Sequence, residues 1–540
     1  TRSLEYKQEG WNGFSYQVHC ELERESKVIT GRWSISAHYP DQEAQATAAA
    51  YLAQDNHPNY ETSKEELLIW WDKYWSRSAV ALPDPVLEKQ WYLEMYKFGA
   101  AARKGAPPIS LQAVWTADNG NLPPWKGDFH HDLNTQLSYW PAYAGNQLDL
   151  EEGFLDWLWG IRDEGKKFTR WFYEADGLNI PGVTTLTGVP MGGWIQYSFG
   201  PTVSAWLGQH FYLHWMYSQD ETFLKDRAYP WVKEVAIFLD QIADQDKNGM
   251  LKLPLSSSPE IFYNSREAWF IETTNYDLAL IRFTYWAAAK MAESLGLAEE
   301  AEQWQTILSR WPDMAVDPES GLMFAPGFPY HESHRHFSHL MAFHPLGMLD
   351  VSQGPEQKEI ILNTLRNMEQ VGPDWWTGYS YSWMGNLYAR ALEGDKAAEA
   401  LKDFATCFTL PSSFHVNGDQ SGTGKSKMTY RPFTLEGNFA FASGIHEMLL
   451  QSHTSIVRIF PAIPASWEDV SFSTLRTEGA FLVSASREGG SNTRVEITAE
   501  KGGTIRLADP FAEGPDADGS DAEILEIKME KGETRVLERK

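Results

Sequence analysis

Cysteine is almost missing from this chain: 540 residues include two, Cys20 and Cys407. Two distant thiols give neither a disulfide framework nor metal-ligand spacing, and they leave the redox compartment open. Long apolar runs are missing too; none reaches the ~20 residues that a membrane-spanning helix needs. Basic residues are scarce. Lys and Arg total 46 against 73 Asp and Glu, a formal net charge of −27. That balance argues against nucleic acid or an anionic membrane as partner and fits a neutral one. No solenoid-type sequence period recurs. The chain opens Thr1-Arg2-Ser3 without signal-like composition, so any export signal is expected to have been removed or never present.

Aromatic residues are abundant instead, with 24 Trp, 23 Tyr and 27 Phe. Core filling is their usual use, but indole faces also stack on the C–H faces of pyranose rings. The densest chemistry lies in Asp128-Phe-His-His-Asp-Leu-Asn-Thr-Gln-Leu-Ser-Tyr-Trp-Pro141, after the turn-rich Asn119–Trp125. His130, Asp132 and Asn134 alternate, so an extended chain would project them to one side. Imidazole, carboxylate and amide on one side grip hydroxyl groups or a water molecule. His131, Tyr139 and Trp140 add to the cluster. The mixture suits a sugar, although polar clusters beside Pro and Gly also build plain turns.

The pattern along the chain predicts four regions. Residues 1–45 read as a β segment, with alternation in Gly13–Leu22 and Lys27–Ser36. Residues 46–83 form a helical linker that includes Ser63–Arg77. A helical domain then spans residues 84–452. Its candidate helices are Val86–Arg103, Gly153–Phe172, Pro201–Tyr217, Thr222–Asp244, Thr274–Leu295, Ala298–Trp311, Glu356–Gln370, Ser380–Leu392, Lys396–Thr406 and Gly437–Gln451. Long loops at Asn179–Gly200, Leu253–Arg266 and Pro326–Ser338 suit a scaffold that gathers its working groups at one end. The count and length fit an (α/α)6 barrel, a helical toroid. Residues 453–540 return to strands, with an acidic loop over Glu513–Ala522, and read as a small β-sandwich-like domain.

Two further carboxylates stand in polar loops: Glu260 after Pro259, and Glu436 at a Gly turn that opens a helix. Taken alone, each reads as an ordinary loop acid or helix cap. Together with Asp132 they offer the acid and base that glycoside hydrolysis needs.

The motifs occur in an order that resembles glycoside hydrolase family 95. They run from Asp84-Pro-Val-Leu-Glu88 and Ser110-Leu-Gln-Ala-Val-Trp115 through Pro123-Pro-Trp125 and Asn134–Pro141. Ala205–His210, Ser256–Glu260, His334–Leu340 and Gly378–Trp383 follow, and Glu436-Gly-Asn-Phe439 closes the series. The resemblance implies an (α/α)6 catalytic barrel and an inverting α-L-fucosidase that needs no cofactor. Related members act on α-L-galactosides. It further implies that Glu260 is the general acid, that His130, Arg335 and His336 bind sugar hydroxyls, and that Trp206 is a pocket aromatic. His131 and Trp125 complete the expected substrate-binding set.

The family usually has two Asn that hold the attacking water and an Asp that polarises them. Here the first Asn is replaced by Asp132, Asn134 is retained, and the Asp is replaced by Glu436. Either Asp132 or Glu436 is therefore expected to activate the water, with Asn134 orienting it, while Glu260 should have a pKa raised by burial. Only about the last strands of the β-sandwich that precedes the barrel in such members are recognised in residues 1–45. Neutral oligosaccharide or polysaccharide is the implied substrate, and a secreted or periplasmic location follows from the resemblance.

Other readings stay open. His331, His334, His336 and His339 have spacings that imidazole ligands use. Asp244–Gly249 imitates a calcium loop but has Leu255 at its twelfth position, where a bidentate Glu is needed. No metal is expected at either. A non-catalytic glycan-binding protein on the same fold and a lyase acting on uronic acids remain as alternatives.

Overall fold

The computed structural model describes residues 2–10, 13–39, 46–54, 59–115, 125, 127–512 and 523–539. The expected turn over residues 119–124 and the acidic loop over residues 513–522 lie outside them. The chain divides into two units, Thr1–Ser76 and Arg77–Lys540.

The first unit contains a three-stranded antiparallel sheet of Arg2–Glu9, Ser15–Glu25 and Val28–His38 in that order. The helices Ala48–Leu52 and Tyr60–Trp75 follow, each opened by a side-chain cap, from Thr47 and Asn59 respectively. Such caps satisfy the orphan N–H groups of a first turn.

The second unit is an (α/α)6 barrel followed by a β domain. Inner and outer helices differ in how much of their surface is buried. Gly378–Arg390 is buried at all 13 positions, and Val203–Ser218 at 13 of 16. Gly394–Cys407 instead buries one stripe, Ala397, Ala400, Leu401, Phe404 and Cys407. Polar groups on the inner helices bond one another: Ser382 Oγ donates to Gly437 O at 2.8 Å and Asn386 Nδ2 to Ala440 O at 2.9 Å. Glycine lets the layers approach. A Cβ at Gly385 would stand 2.5 Å from Leu401 Cδ2.

Local signals explain most helix ends. Pro85 sits in the first turn of Pro85–Ala101, with Asp84 capping Val86 and Leu87, and Thr274 caps Asn275–Ser294. Two expectations are corrected. The helix foreseen over Gly153–Phe172 is two, Leu148–Gly160 and Arg162–Tyr173, broken at Ile161. The extended run foreseen at His130–Asn134 is a two-residue strand, Phe129–His130, followed by the helix Asn134–Tyr139.

The β domain contains a five-stranded antiparallel sheet in the order Thr534–Glu538, Ser491–Ala499, Phe481–Glu488, Val470–Thr477, Ala79–Ala81. Its last strand comes from the segment just before the first barrel helix. Gly503–Ala508 and Ile524–Met529 form a separate pair. Among the described residues no helix is long and apolar enough to cross a membrane.

Candidate active site

The long loops between the helices bring the chemistry together. Phe129–His130 pairs with Val183–Thr184, and the His131 N–H donates to Gly182 O at 2.7 Å. That pairing anchors the opening segment before Asn134 starts its helix. Glu260 lies in a left-handed turn with φ of +59°, and Phe262, Tyr263 and Asn264 have φ of +50°, +50° and +61°. Each such residue costs on the order of 1–3 kcal/mol and persists only where its surroundings over-determine it. Here the Tyr263 N–H donates to Glu260 O at 3.1 Å, and Asn264 Oδ1 accepts the Gln196 N–H at 3.1 Å. Those bonds hold the turn, and side-chain donors from Tyr197, Arg335 and His336 hold the Glu260 carboxylate itself.

Around it a cavity of about 200 Å³ is lined by Trp125, His130, Asp132, Asn134, Glu260, Arg335 and His336, with Tyr263, Trp375, Tyr379 and Thr434 among the others. Glu260 Oε2 accepts Arg335 Nε at 2.5 Å and His336 Nε2 at 2.9 Å. Its Oε1 accepts the Tyr197 hydroxyl at 2.5 Å. His334 is fixed in one tautomer: Nδ1 accepts the His336 N–H at 3.1 Å, so Nε2 holds the proton and faces Glu260 O at 3.3 Å. His130 Nδ1 lies 2.6 Å from Asp128 Oδ1, which orients its ring.

The carboxylates are pushed apart in charge. Burial alone would raise Glu260, yet the Arg335 guanidinium, His336 and the hydrogen bonds from His336 and Tyr197 hold it well below the usual range. This overturns the expectation of a Glu260 raised by burial: its donors outweigh desolvation. Asp132 is raised by burial and by the Glu260 charge, against the pull of His336 and His130. Glu436 is pushed up to about 7 by burial, against hydrogen bonds from Thr434 and Asn134. Thr434 Oγ1 donates to Glu436 Oε1 at 2.6 Å. Glu436 Oε2 and Asp132 Oδ1 are buried without a hydrogen-bond partner among the described residues. His130 is raised, since Asp128, Asp132 and Glu260 outweigh a burial that would lower it.

Of the residues singled out in the sequence, seven line this cavity. Glu436 stands behind the wall, 1% exposed, and reaches the cavity through Asn134 and Thr434. Two lie elsewhere. His131 is turned inward, its Nε2 3.0 Å from Thr184 Oγ1, and burial lowers its pKa to about 3. Trp206 is 1% exposed and packs with Tyr276 and Trp383, both at 6.2 Å. The inner helix that carries it is buried nearly all round, so Trp206 fills core. Tyr197, Tyr379 and Asp128 were not foreseen as site residues. Asp128 had a signal in its place two residues from His130, where an extended chain puts both on one side, and Tyr379 lies inside the Gly378–Trp383 motif.

The four loop histidines do not converge. His339 stacks on Tyr330 at 5.2 Å, while His331 is exposed. Asp132, Glu260 and His336 do converge, offering ligand atoms within 4.8 Å of one another. The Asp244–Gly249 loop is closed by its own backbone, Asp246 Oδ1 accepting the Asn248 and Met250 N–H groups at 2.8 and 2.9 Å.

Comparison with known proteins places this geometry. The chain matches the glycosyl hydrolase family 95 catalytic domain over residues 58–449 and the family 95 C-terminal domain over residues 451–536. It is 27% identical over 420 residues to "Alpha-L-fucosidase 2" of Arabidopsis thaliana, covering 76% of this chain and 49% of that protein. It is 24% identical over 446 residues to "Probable alpha-fucosidase A" of Aspergillus niger, covering 75% and 52%. The chain thus spans about half the length of the curated relatives it matches. A human-microbiome protein described as a kojibiose phosphorylase shares the fold, with a TM-score of 0.64 over 98% of this chain and 76% of that one, at 10% identity. With its catalytic-domain match covering well over half of its length, the chain belongs to glycosyl hydrolase family 95.

Proposed function

We propose that this protein is an inverting glycoside hydrolase that releases a terminal α-L-fucosyl residue from neutral oligosaccharides or polysaccharides. The observation that carries the reading is the convergence of Glu260, Asp132, Asn134, His130, Arg335 and His336 on one cavity, with Glu436 buried behind its wall. Without substrate the split between Glu260, held low, and Glu436, raised to about 7, is the reverse of what an acid and a base need, and substrate has to invert it. The names of the two relatives support the sugar.

Glu260 is the acid and Glu436 the base. Asp132 crowds the acid, their ligand oxygens lying within 4.8 Å of each other, and is assigned to the sugar rather than to the water. The free Oε2 of Glu436 accepts a proton from the water that Asn134 orients. The water oxygen attacks the anomeric carbon, the bond to the leaving oxygen breaks, and the Glu260 proton passes to that oxygen. Asp132, raised by burial and by Glu260, faces the sugar hydroxyls from the cavity wall.

Before substrate enters, the single proton shared by acid and base rests mostly on Glu436. Sugar hydroxyls that take over the donors of Arg335 and His336 release Glu260 from the contacts that hold it low, and burial then draws the proton to it. Sugar release from α-L-fucosides and α-L-galactosides, run beside Glu260→Gln, tests the reading. Release of the β-anomer first, with a loss of roughly 10²–10⁴ in the variant, is the expected result. First release of the α-anomer, or full activity in Glu260→Gln, overturns it.

A further inference from the structure

Two larger cavities share walls with the central one, and they differ in one respect. A cavity of about 350 Å³ shares Trp125, His130 and Glu260 with it. Another, of about 490 Å³, shares Tyr263 and Trp375 and does not reach Glu260. A general acid must touch the oxygen between the departing sugar and the residue being released. The leaving group therefore lies where Glu260 is also a wall.

The 350 Å³ cavity is built for a ring, and its volume falls in the range of about 300–1,000 Å³ usual for small-ligand sites. Trp194, on its wall, opens the helix Ile195–Phe199, which carries Tyr197, the residue bonded to Glu260. The Trp194 ring is nearly parallel to Tyr197, with an interplanar angle of 6° at 6.1 Å, and meets Tyr263 edge-on at 6.2 Å. Its plane is thus fixed relative to the acid. Gly192 and Gly193 precede it with φ of +77° and +98°, conformations that L side chains rarely adopt. They leave that stretch of wall without side chains, while Asp128 and His130 supply polar contacts for hydroxyls.

We infer that this cavity is the leaving-group subsite, with Trp194 as the stacking platform for the ring next to the terminal residue. The inference rests on Glu260 as the acid. An oligosaccharide pays for its affinity here through the indole, whereas a glycosyl fluoride of the same terminal sugar leaves the cavity empty and asks little of the acid.

Trp194→Ala and Trp194→Phe are to be assayed on both substrates, with Trp375→Ala as the comparison for the other cavity. Trp194→Ala is expected to lose roughly ten- to hundredfold in kcat/KM on the oligosaccharide, mostly through KM. That loss should exceed the loss on the fluoride by at least tenfold, and Trp194→Phe should recover part of it. Equal losses on both substrates would mean that Trp194 merely steadies Tyr197 and Glu260, and would overturn the subsite. So would an oligosaccharide loss confined to Trp375→Ala. A wild-type protein that releases sugar from neither substrate overturns the hydrolase reading itself, and the inference with it.

Discussion

Arg335 Nε donates to Glu260 Oε2 across 2.5 Å, and His336 Nε2 approaches the same oxygen at 2.9 Å. One carboxylate oxygen thus collects the donors that would otherwise serve a sugar, and the contact decides which acid of the pocket is charged. Glu260 has a folded pKa below its unfolded value, so its ionised form stabilises the fold above about pH 4.5. That contribution is lost only as pH falls through the lowered value. Removing Arg335 should return Glu260 toward the ordinary carboxylate range. In Arg335→Gln the acid limb of kcat/KM is expected to move up by about one unit or more, with weaker sugar binding. An acid limb that stays in place would show that Arg335 does not set the charge of Glu260.

The alkaline limb belongs to Glu436. Its pKa of about 7 comes from burial, opposed by hydrogen bonds from Thr434 and Asn134. The reacting state carries one proton between Glu260 and Glu436, so kcat/KM should fall as pH rises through about 7, whichever of the two bears it. Thr434→Val deletes a donor that favours the carboxylate, and so moves the limb to higher pH. A downward shift, or none, contradicts the assignment.

A catalytic base buried this deeply costs stability. Glu436 is 1% exposed, and its folded pKa of about 7 exceeds the usual 4.5. A raised value means that the folded state holds the proton more tightly, so the contribution is whole below pH 4.5 and is lost between 4.5 and 7. Glu436→Gln should therefore be inactive yet more stable than wild type at pH 8, by up to about 3 kcal/mol. The two should unfold alike near pH 4. Denaturant midpoints at both pH values measure this, and a variant less stable at pH 8 would refute it.

Much of the barrel was legible because its signals are local. Asp84-Pro85 and Thr274 mark their helices, and the 3.6-residue stripe of Gly394–Cys407 marks its buried face. The helix at Asn134 was not, since Leu133 gives no side-chain cap and the polar residues before it alternate as a strand would. Nor was the break at Ile161, where helical residues continue on both sides. Trp206 and His131 show the limit at the site. Both belong to the right motifs, but which face a helix or strand turns inward depends on partners, Trp383 and Thr184, far along the chain. Glu260 was located by its loop, yet its charge was not, because that depends on Arg335, 75 residues on.

The start of the Glu436 helix leans on a buried ion pair. Lys97 Nζ lies 2.9 Å from Glu94 Oε2, and the two side chains are 4% and 0% exposed. Asn438, one turn into that helix, donates to Glu94 Oε1 at 2.8 Å and accepts the His415 N–H at 2.9 Å. Lys97→Met leaves Glu94 buried without its counter-ion, which costs about 3–5 kcal/mol. Because Asn438 follows Glu94, kcat should fall with stability while KM moves little. Adding Glu94→Gln removes the stranded charge and keeps an oxygen for Asn438, so the double variant should regain more than half of the lost stability. Equal instability in the single and double variants would show that packing around Lys97, rather than its charge, holds the helix in place.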